Sequence, residues 1–362
     1  MRIDAAGRIR LARVLRVARL PARAAGVVPV LLPSDSNDAW RIGSAVLRVC
    51  WRGDRERFTR EAAVTRALPP GVPYPEVLDT GFDGDLAWQV TQAVDGVPLA
   101  MVWHGLSRPE RRDAVYQIGQ ALATLHAHRF PAEVVAVLAA PRPVGDTSTS
   151  ALVGADILPL PLWRAESLLA AASHEGRADR ALIDDVAARF RELAEADPLA
   201  DAPPAGTRLA EADPPAGAVT CVHGDAHLAN ALWKDGRLTA LLDFEWVRLG
   251  PPDLEIEPYL RADTAGLAGI ELREALGWLA ESYPAMFAAP DLVRRLWLYQ
   301  IATAVRDLFL DSPGQPPDHG AQCALRRFVK SPDHLLRILP ALTPAQLAEV
   351  GEGHRSRASP LG

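Results

Sequence analysis

A segment in the second half of the chain carries side chains of the types that phosphoryl transfer needs. The run from Cys221 to Trp246 reads CVHGDAHLANALWKDGRLTALLDFEW and contains Asp225, Asn230 and Asp243. One group that can accept a hydroxyl proton, with two oxygen ligands for a divalent cation, is the minimum equipment for moving a phosphoryl group from ATP. The spacing therefore favours a kinase-type site in which hard oxygen ligands hold Mg²⁺.

A predicted hairpin brings the two cation ligands together. Asp235-Gly236 is a strong turn signal between two short apolar runs, and it predicts an antiparallel pair of strands. This pairing places Asn230 roughly opposite Leu241, one diagonal step from Asp243. The amide and the carboxylate are therefore expected to meet at one end of a short ribbon.

Other interpretations of the same residues stay open. Each of the three side chains could have a structural role alone, as a helix cap, a turn former or a strand end. A zinc site is a further alternative, because Cys221, His223, Asp225 and His227 alternate and would share one face of an extended strand. Gly224 and the polar residues after it favour a loop, in which His227 is a structural hydrogen-bonding group.

The two halves of this segment, HGDAHLAN and LLDFEW, resemble the aminoglycoside phosphotransferase and choline kinase-like family. The resemblance implies that Asp225 is the catalytic base or the group that orients the hydroxyl. It also implies that Asn230 and Asp243 bind magnesium, that His223 braces the loop, and that the cofactors are ATP and Mg²⁺. The fold that it implies is α+β and bilobal, protein-kinase-like, with a small antiparallel β-sheet N-lobe containing one helix and a larger, mainly helical C-lobe.

The patterns along the chain agree with two lobes, which we predict at residues 1–94 and 95–362. Strand patterns flank the Gly43-Ser44 turn, and a helix follows Asp54 before the periodicity becomes helical. Arg48 shares a strand face with apolar residues and needs a partner, for which Glu61 on the helix is the obvious candidate. SAVLRV followed by REAAVTRAL resembles the kinase pair that holds nucleotide phosphates, with Arg in place of Lys. A surface salt bridge is the alternative.

Two more segments are candidates for nucleotide binding. Ser36 and Asn37 lie in the loop between the first two strands and could donate hydrogen bonds to phosphate oxygens, although this loop has no glycine. By the resemblance, Gln92, Ala93 and Val94 fall at the inter-lobe hinge, where backbone groups would hydrogen-bond to adenine. An ordinary turn would also explain the hinge segment.

An acidic stretch follows the hairpin and bears on the substrate. Its members are Glu245, Asp253, Glu255, Glu257 and Asp263. Glu245 and Glu255 are candidates for binding a cationic substrate, such as an aminoglycoside or an amino alcohol. The same residues could instead form a solvated helix start, where acidic side chains suit the helix dipole.

The bulk properties narrow the function class. A net charge of −6 and a pI near 5.9 argue against a nucleic-acid partner. Three scattered cysteines without a CxxC pair suit a reducing cytoplasm. No apolar run is long enough to span a membrane. The arginine-rich N-terminus is predicted to be an amphipathic helix packed on the first lobe, and a transit peptide or a membrane-surface helix is the alternative. The oligomeric state stays open.

The sequence thus predicts a small-molecule kinase that acts on a hydroxyl. A protein kinase is disfavoured, because the chain lacks GxGxxG, has Asp243-Phe244-Glu245 instead of DFG and shows no APE-like segment. An aminoglycoside substrate would imply antibiotic resistance; choline, ethanolamine, homoserine or sugar-type metabolites are the alternatives. A catalytically inactive nucleotide-binding module is a further alternative, supported by the glycine-free loop and the arginine at residue 48.

Overall fold

Alternating apolar residues in the first 92 residues build a five-stranded antiparallel sheet. The strands are β1 (Val30–Leu32), β2 (Asp38–Ile42), β3 (Ala45–Cys50), β4 (Val77–Asp83) and β5 (Leu86–Gln92). Their spatial order is β1-β2-β3-β5-β4. One face buries a core that includes Trp40, Leu47 and Val90, together with Val14 from helix α1 (Ala5–Val14). The predicted N-terminal helix is therefore present and packs on the sheet.

The structure is a computed structural model, and it describes only part of the chain. The described residues are 5–24, 26–34, 37–51, 54–140, 159–194, 219–261, 267, 269–310, 320–340 and 342–347. The loop predicted at 197–218 lies outside these residues. Within them, no helix is both long enough and apolar enough to cross a lipid bilayer.

Helix α2 (Arg57–Thr65) joins β3 to β4 and lies against the later part of the chain. Its start is three residues after Asp54, whose carboxylate accepts a hydrogen bond from the Glu56 N–H at 2.9 Å. The sequence predicts that this helix begins at Asp54, because Asp is a common helix cap. The carboxylate instead stabilises the turn that precedes the helix.

The second part of the chain is mainly helical. The helices are α3 (Leu99–Val102), α4 (Arg108–Ala127), α5 (Ala132–Ala139), α6 (Leu162–Glu175), α7 (Arg180–Leu193), α8 (Glu257–Leu260), α9 (Gly269–Ser282), α10 (Leu292–Leu310), α11 (Gly320–Lys330) and α12 (His334–Ile338). The face of α4 that was predicted from its periodicity is buried, including Val115, Ile118, Leu122 and Leu125. This helical part forms most of a large apolar core, which also includes Val64 and Val72 from the first part of the chain.

Five short strands form two small sheets in this part. They are β6 (Val97–Pro98), β7 (Thr220–Val222), β8 (Ala231–Lys234), β9 (Arg237–Leu241) and β10 (Arg248–Gly250). The first sheet has the order β6-β8-β9, and the second pairs β10 with β7. The chain thus leaves the first sheet at Gln92 and enters the second part at Val97. The lobe boundary near residue 94 stays a prediction.

The predicted hairpin forms with a register that differs by one residue. Asp235 and Gly236 form its turn with positive φ values of 49° and 77°. Ala231 pairs with Leu241, and the Leu242 N–H donates to the Asn230 carbonyl at 2.7 Å. Asn230 therefore faces Leu242 rather than Leu241, because a bulge at Thr239 in β9 shifts the register between Trp233 and Leu232. The shift leaves Asn230 close to Asp243.

Candidate active site

The segment after β7 is a loop, and a buried carboxylate fixes it by accepting hydrogen bonds from two of its backbone N–H groups. Glu255 is fully buried, and its two oxygens accept hydrogen bonds from the backbone N–H groups of His223 (2.5 Å) and Gly224 (3.1 Å). His126 Nε2 lies 3.2 Å from the same carboxylate. The substrate-binding role predicted for Glu255 does not suit this position, because the side chain reaches no surface. It anchors the loop instead.

His223 braces the loop from inside, as the resemblance implied. Its Nδ1 accepts the N–H of Asp225 at 3.2 Å, so its proton is on Nε2, which donates to the Leu242 carbonyl at 2.9 Å. Burial lowers the pKa of this imidazole, which favours the neutral form that both hydrogen bonds need. The ring also packs against Phe244, with centroids 4.2 Å apart. His223 therefore links the loop to the end of the hairpin.

Both oxygens of Asp225 have fixed partners. Arg261 Nη2 donates to Oδ1 at 2.5 Å, and the Asn230 amide nitrogen donates to Oδ2 at 2.9 Å. His227 Nε2 lies 3.5 Å from Oδ2. Burial alone would raise the pKa of Asp225, but Arg261 and His227 outweigh this effect and hold the pKa at about 2. Asp225 is therefore an oriented carboxylate and a weak base.

Arg261 is a site residue that sequence reasoning missed. It follows helix α8, 36 residues after Asp225, and no spacing rule connects the two positions. Glu257 supports it from one turn earlier, with Glu257 Oε2 3.0 Å from Arg261 Nε. Burial raises the pKa of Glu257 to about 7, although Arg261 opposes this shift. The only signal in the sequence was an arginine within the acidic stretch, between Glu257 and Asp263.

The pair Asn230 and Asp243 could hold a divalent cation. The amide nitrogen of Asn230 donates to Asp225, so its amide oxygen would be the ligand atom. Asp243 has a left-handed backbone (φ 66°), and its side chain keeps 35% of its surface exposed. Desolvation raises the pKa of the Asp243 carboxyl group, and the positive charge of Arg48 opposes this shift. A nearby cation would stabilise the ionised carboxylate, so these residues fit Mg²⁺.

The predicted pair of Arg48 and Glu61 is present. Arg48 Nη1 donates to both Glu61 oxygens, at 2.7 and 2.9 Å, and Tyr74 Oη donates to Glu61 at 2.6 Å. The Arg48 side chain is 12% exposed and that of Glu61 is fully buried, so this is not a surface salt bridge. Arg48 Nη2 also donates to Asp243 and, at 3.1 Å, to Glu245. The planar fork of arginine makes this double contact possible.

Glu245 lies between the two lobes, buried to 2% exposure. Besides Arg48, it accepts a hydrogen bond from the Asn37 amide at 2.8 Å, and Arg57 Nη1 lies 3.6 Å from its other oxygen. The substrate-binding role predicted for Glu245 does not suit this environment. Asn37, predicted to contact phosphate, here contacts Glu245, while Ser36 lies outside the described residues.

In the predicted hinge, fewer backbone N–H groups are available to a nucleotide than the prediction assumed. The N–H of Gln92 donates to the Glu76 carbonyl and that of Ala93 donates to the Ser44 carbonyl, both at 2.8 Å. The adenine contacts predicted for residues 92–94 would therefore use carbonyl groups and the N–H of Val94. The N–H groups of Gln92 and Ala93 are not available, because they donate to carbonyl groups within the first lobe.

The zinc alternative receives no support from the described residues. They contain no cluster of three or more His, Cys, Asp or Glu side chains placed to hold a metal ion. Cys221 is buried in β7, and burial raises the pKa of its thiol, which opposes the thiolate form that zinc needs. The Cys221, His223, Asp225 and His227 set therefore divides between a strand and a loop.

The architecture is that of a two-lobed, kinase-like α+β protein with a polar site between a small sheet and a helical lobe. A family profile, the phosphotransferase enzyme family (APH), matches residues 31–277, more than half of the chain. The chain belongs to this family. No curated protein sequence shows a significant match.

Solved structures with the same fold include several aminoglycoside phosphotransferases. APH(2'')-Ib with bound ADP has a TM-score of 0.55 and 16% identity, covering 91% of this chain and 97% of that one. A thermostable mutant of APH(4)-Ia with AMP-PNP and hygromycin B has a TM-score of 0.54 and 17% identity, covering 90% and 99%. The streptomycin–ATP–APH(2'')-IIa complex has a TM-score of 0.51 and 15% identity, covering 86% and 93%. At these low sequence identities, the similarity shows that the folds are alike.

Proposed function

We propose that the protein is an ATP- and Mg²⁺-dependent phosphotransferase that moves the γ-phosphoryl group to a hydroxyl of a small molecule. The observation that carries this proposal is the convergence of Asp225, Asn230 and Asp243 at the end of one hairpin, beside the Arg48–Glu61 pair. The family membership supports it, as do similar folds that were solved with ATP, ADP or AMP-PNP.

In this proposal Arg48 and the hinge bind the nucleotide. Glu61 holds the guanidinium of Arg48 in place, and the donors that now reach Asp243 and Glu245 would turn to phosphate oxygens. Asn230 and Asp243 would hold Mg²⁺, which neutralises charge on the β- and γ-phosphates when bound. Asn37 would add a hydrogen bond to a phosphate oxygen.

Asp225 would orient the acceptor hydroxyl. The hydroxyl oxygen forms a bond to the γ-phosphorus, and the bond from that phosphorus to the β–γ bridging oxygen breaks to leave ADP. The hydroxyl proton passes to Asp225 and then to solvent. Because its pKa is about 2, Asp225 accepts this proton late in the transfer, when the hydroxyl has become strongly acidic. This agrees with a loose transition state, which needs positioning more than a strong base.

The fold bears less directly on the class of substrate than on the type of reaction. Complexes with streptomycin, gentamicin or hygromycin B are known for proteins of the same fold, which supports an aminoglycoside-type acceptor and a role in antibiotic resistance. A metabolic acceptor of the choline, ethanolamine, homoserine or sugar type is the alternative. The intact set of Asp225, Asn230 and Asp243 disfavours an inactive nucleotide-binding module.

Two substitutions test the assignment of roles. Asp225→Ala should lower phosphoryl transfer by about 10²–10⁴-fold and leave AMP-PNP binding largely unchanged. Asp243→Ala should instead weaken binding of the magnesium nucleotide. The measurements are ADP release with a panel of hydroxyl compounds and calorimetric titration of AMP-PNP, both with and without Mg²⁺. Asp113→Ala, on the exposed face of α4, is the control. Wild-type transfer by both site variants would refute the proposal.

A further inference from the structure

Residues 5–24 form a layer over one face of the five-stranded sheet. The side chains on the inner side of this layer lie in or against the apolar core on that face, and they include Leu11, Val14, Leu20 and Ala24. The side chains on its outer side point away from the sheet and are exposed. They include four arginines with two apolar residues between them, namely Arg8, Ile9, Arg16, Val17, Arg19 and Arg23. We call these six side chains the outer N-terminal surface.

Helical spacing brings the first of these side chains to one side of α1. Arg8 and Arg16 are eight residues apart, and the helical hydrogen bonds of the backbone continue to residue 18. Residues eight apart on a helix point in nearly the same direction. Gly7 and Val14, the buried residues of α1, lie on the opposite side. Both guanidinium groups and the Ile9 side chain, which is 62% exposed, therefore face solvent together.

The acids that contact this layer leave its outer side positive. Residues 5–33 contain six arginines and no Asp or Glu. The ion pairs of residues 5–24 that the structure describes belong to Arg10 and Arg13, and their partners are Asp38, Asp83 and Asp85. A fourth acid, Asp79, accepts the backbone N–H of Arg19 at 2.6 Å. Within the described part of the chain, the four arginines of the outer N-terminal surface form no ion pair. Six arginines thus meet four acids, and an anionic partner would complement the excess.

The outer N-terminal surface and the candidate site lie on opposite sides of the sheet. Leu47 and Val49 of β3 face the core under the N-terminal layer, whereas Arg48 between them contacts Glu61 of α2. Successive side chains of a strand point to opposite faces, so the sheet separates the layer from the groups proposed to bind phosphate. A partner on the outer N-terminal surface would therefore leave the site between the lobes uncovered.

We propose that the outer N-terminal surface binds the surface of an anionic lipid bilayer. The arginines contact lipid phosphates, and Ile9 and Val17 enter the boundary between headgroups and acyl chains. The helix packs on the first lobe, as predicted, while its outer side acts as the membrane-surface helix that was the alternative. A nucleic acid would attract the arginines but would offer no apolar phase to the two exposed apolar side chains, so their combination favours lipid. This proposal goes beyond the phosphotransferase proposal and does not depend on it.

The first test measures binding of the full chain to lipid vesicles by flotation. Wild type should bind vesicles with about one third phosphatidylglycerol at least tenfold more tightly than vesicles of phosphatidylcholine alone. Binding should weaken as NaCl is added, because salt screens the arginines. Equal binding to the two kinds of vesicle, or none to the anionic vesicles, overturns the proposal. Tighter binding to a DNA duplex, compared at the same concentration of negative charge, overturns it too.

The second test removes two charges. Arg8→Gln/Arg16→Gln should weaken binding to the anionic vesicles by at least tenfold, because each arginine contributes about fivefold. The matched control is Arg108→Gln/Arg112→Gln on α4, which removes the same charge at side chains that are 68% and 51% exposed. It should leave binding unchanged. An equal loss in the control would mean that net charge, rather than this surface, governs binding, and it would overturn the proposal.

The third test removes an apolar contact and keeps every charge. Ile9→Gln should weaken binding to anionic vesicles by at least threefold and leave any binding to the DNA duplex unchanged. Ile270→Gln is the control, because Ile270 on α9 is 77% exposed but belongs to the helical part of the chain. Binding of Ile9→Gln that equals wild type would show that lipid makes no apolar contact here, which the proposal requires.

The outcomes separate this proposal from the phosphotransferase proposal. AMP-PNP binding with Mg²⁺ should be the same in wild type and in all of these variants, because the sheet lies between the surface and the site. Failure to bind anionic vesicles leaves the phosphotransferase proposal standing, whereas failure of wild type to bind AMP-PNP with Mg²⁺ overturns only that one. Thermal unfolding shows that each variant is folded, and the single variant Ile9→Gln decides the matter if the double variant unfolds.

Discussion

At the scale of single residues, three side chains that contact or lie near the Asp225 carboxylate favour its ionised form. Asn230 and His227 come from its own loop, and Arg261 comes from the end of α8. The carboxylate is therefore charged at every physiological pH and keeps one orientation. This geometry suits a group that orients a hydroxyl, and it makes the ionisation of Asp225 part of the stability of the fold.

We expect a pH dependence of stability from this residue. The pKa of Asp225 is about 2 in the folded protein against about 4 in the unfolded chain, so the ionised carboxylate stabilises the fold by about 2–3 kcal/mol. This contribution is complete above about pH 5 and is lost as the pH falls toward 2. The measurement is urea unfolding of wild type and Asp225→Asn from pH 7 to pH 2.5.

The difference in free energy of unfolding between these two proteins should shrink as the pH falls. Asp85→Asn is the matched control, because Asp85 pairs with Arg13 on the surface, where water screens the pair. The difference in free energy of unfolding between Asp85→Asn and wild type should change much less with pH. A constant difference for Asp225→Asn over the whole range would show that Arg261 and His227 do not control this carboxylate.

At the scale of elements, the loop after β7 depends on a glycine. Gly224 has a φ of 80°, and a Cβ at this position would lie 2.8 Å from the carbonyl oxygen of Trp246. The loop therefore passes against the backbone that follows the hairpin, with no room for a side chain. This close approach positions Asp225 relative to Asp243.

We expect Gly224→Ala to destabilise the protein by more than backbone strain alone. Gly176, the residue after α6, also has a positive φ (66°), but nothing lies within 4 Å of a Cβ built there. Gly176→Ala should cost about 1 kcal/mol, whereas Gly224→Ala should cost about 2 kcal/mol more because the loop must move. Chemical denaturation of both variants measures this. Equal costs would mean that the loop tolerates a side chain.

Much of the fold was predictable because its signals are local. The strand β3, the helix face of α4 and the Asp235-Gly236 turn follow from periodicity and turn chemistry. The motif also placed Asp225 and Asp243 near each other. The register of the hairpin was wrong by one residue, because a bulge depends on tertiary packing rather than on local sequence.

The roles of the acids were harder to predict. Glu255 and Glu245 were predicted to face a substrate, because exposed and buried carboxylates look alike in a sequence. Their partners are backbone amides and arginines far away along the chain. Arg261 went unrecognised for the same reason. Pairing across 30 or more residues leaves no periodic signal, so only the tertiary structure shows which charges neutralise each other.

At the scale of the whole molecule, polar contacts join the two lobes across the site. Glu245 from the helical lobe contacts Asn37, Arg48 and Arg57 of the first lobe, and Arg48 also contacts Asp243. The Leu241 N–H adds a backbone hydrogen bond to the Pro73 carbonyl at 2.8 Å. The groups proposed to bind the nucleotide therefore also couple the lobes.

We expect Glu245→Ala to weaken this coupling more than it weakens either lobe. The substitution leaves the buried guanidinium groups of Arg48 and Arg57 without one carboxylate, which costs about 3–5 kcal/mol when a buried pair loses one member. The sheet lobe is the smaller and should unfold first, so calorimetry should show two transitions or one broadened transition. Glu271→Ala is the control, since its pair with Arg111 lies within the helical lobe and is partly exposed. A single unbroadened transition in Glu245→Ala would show that the lobes stay coupled through other contacts.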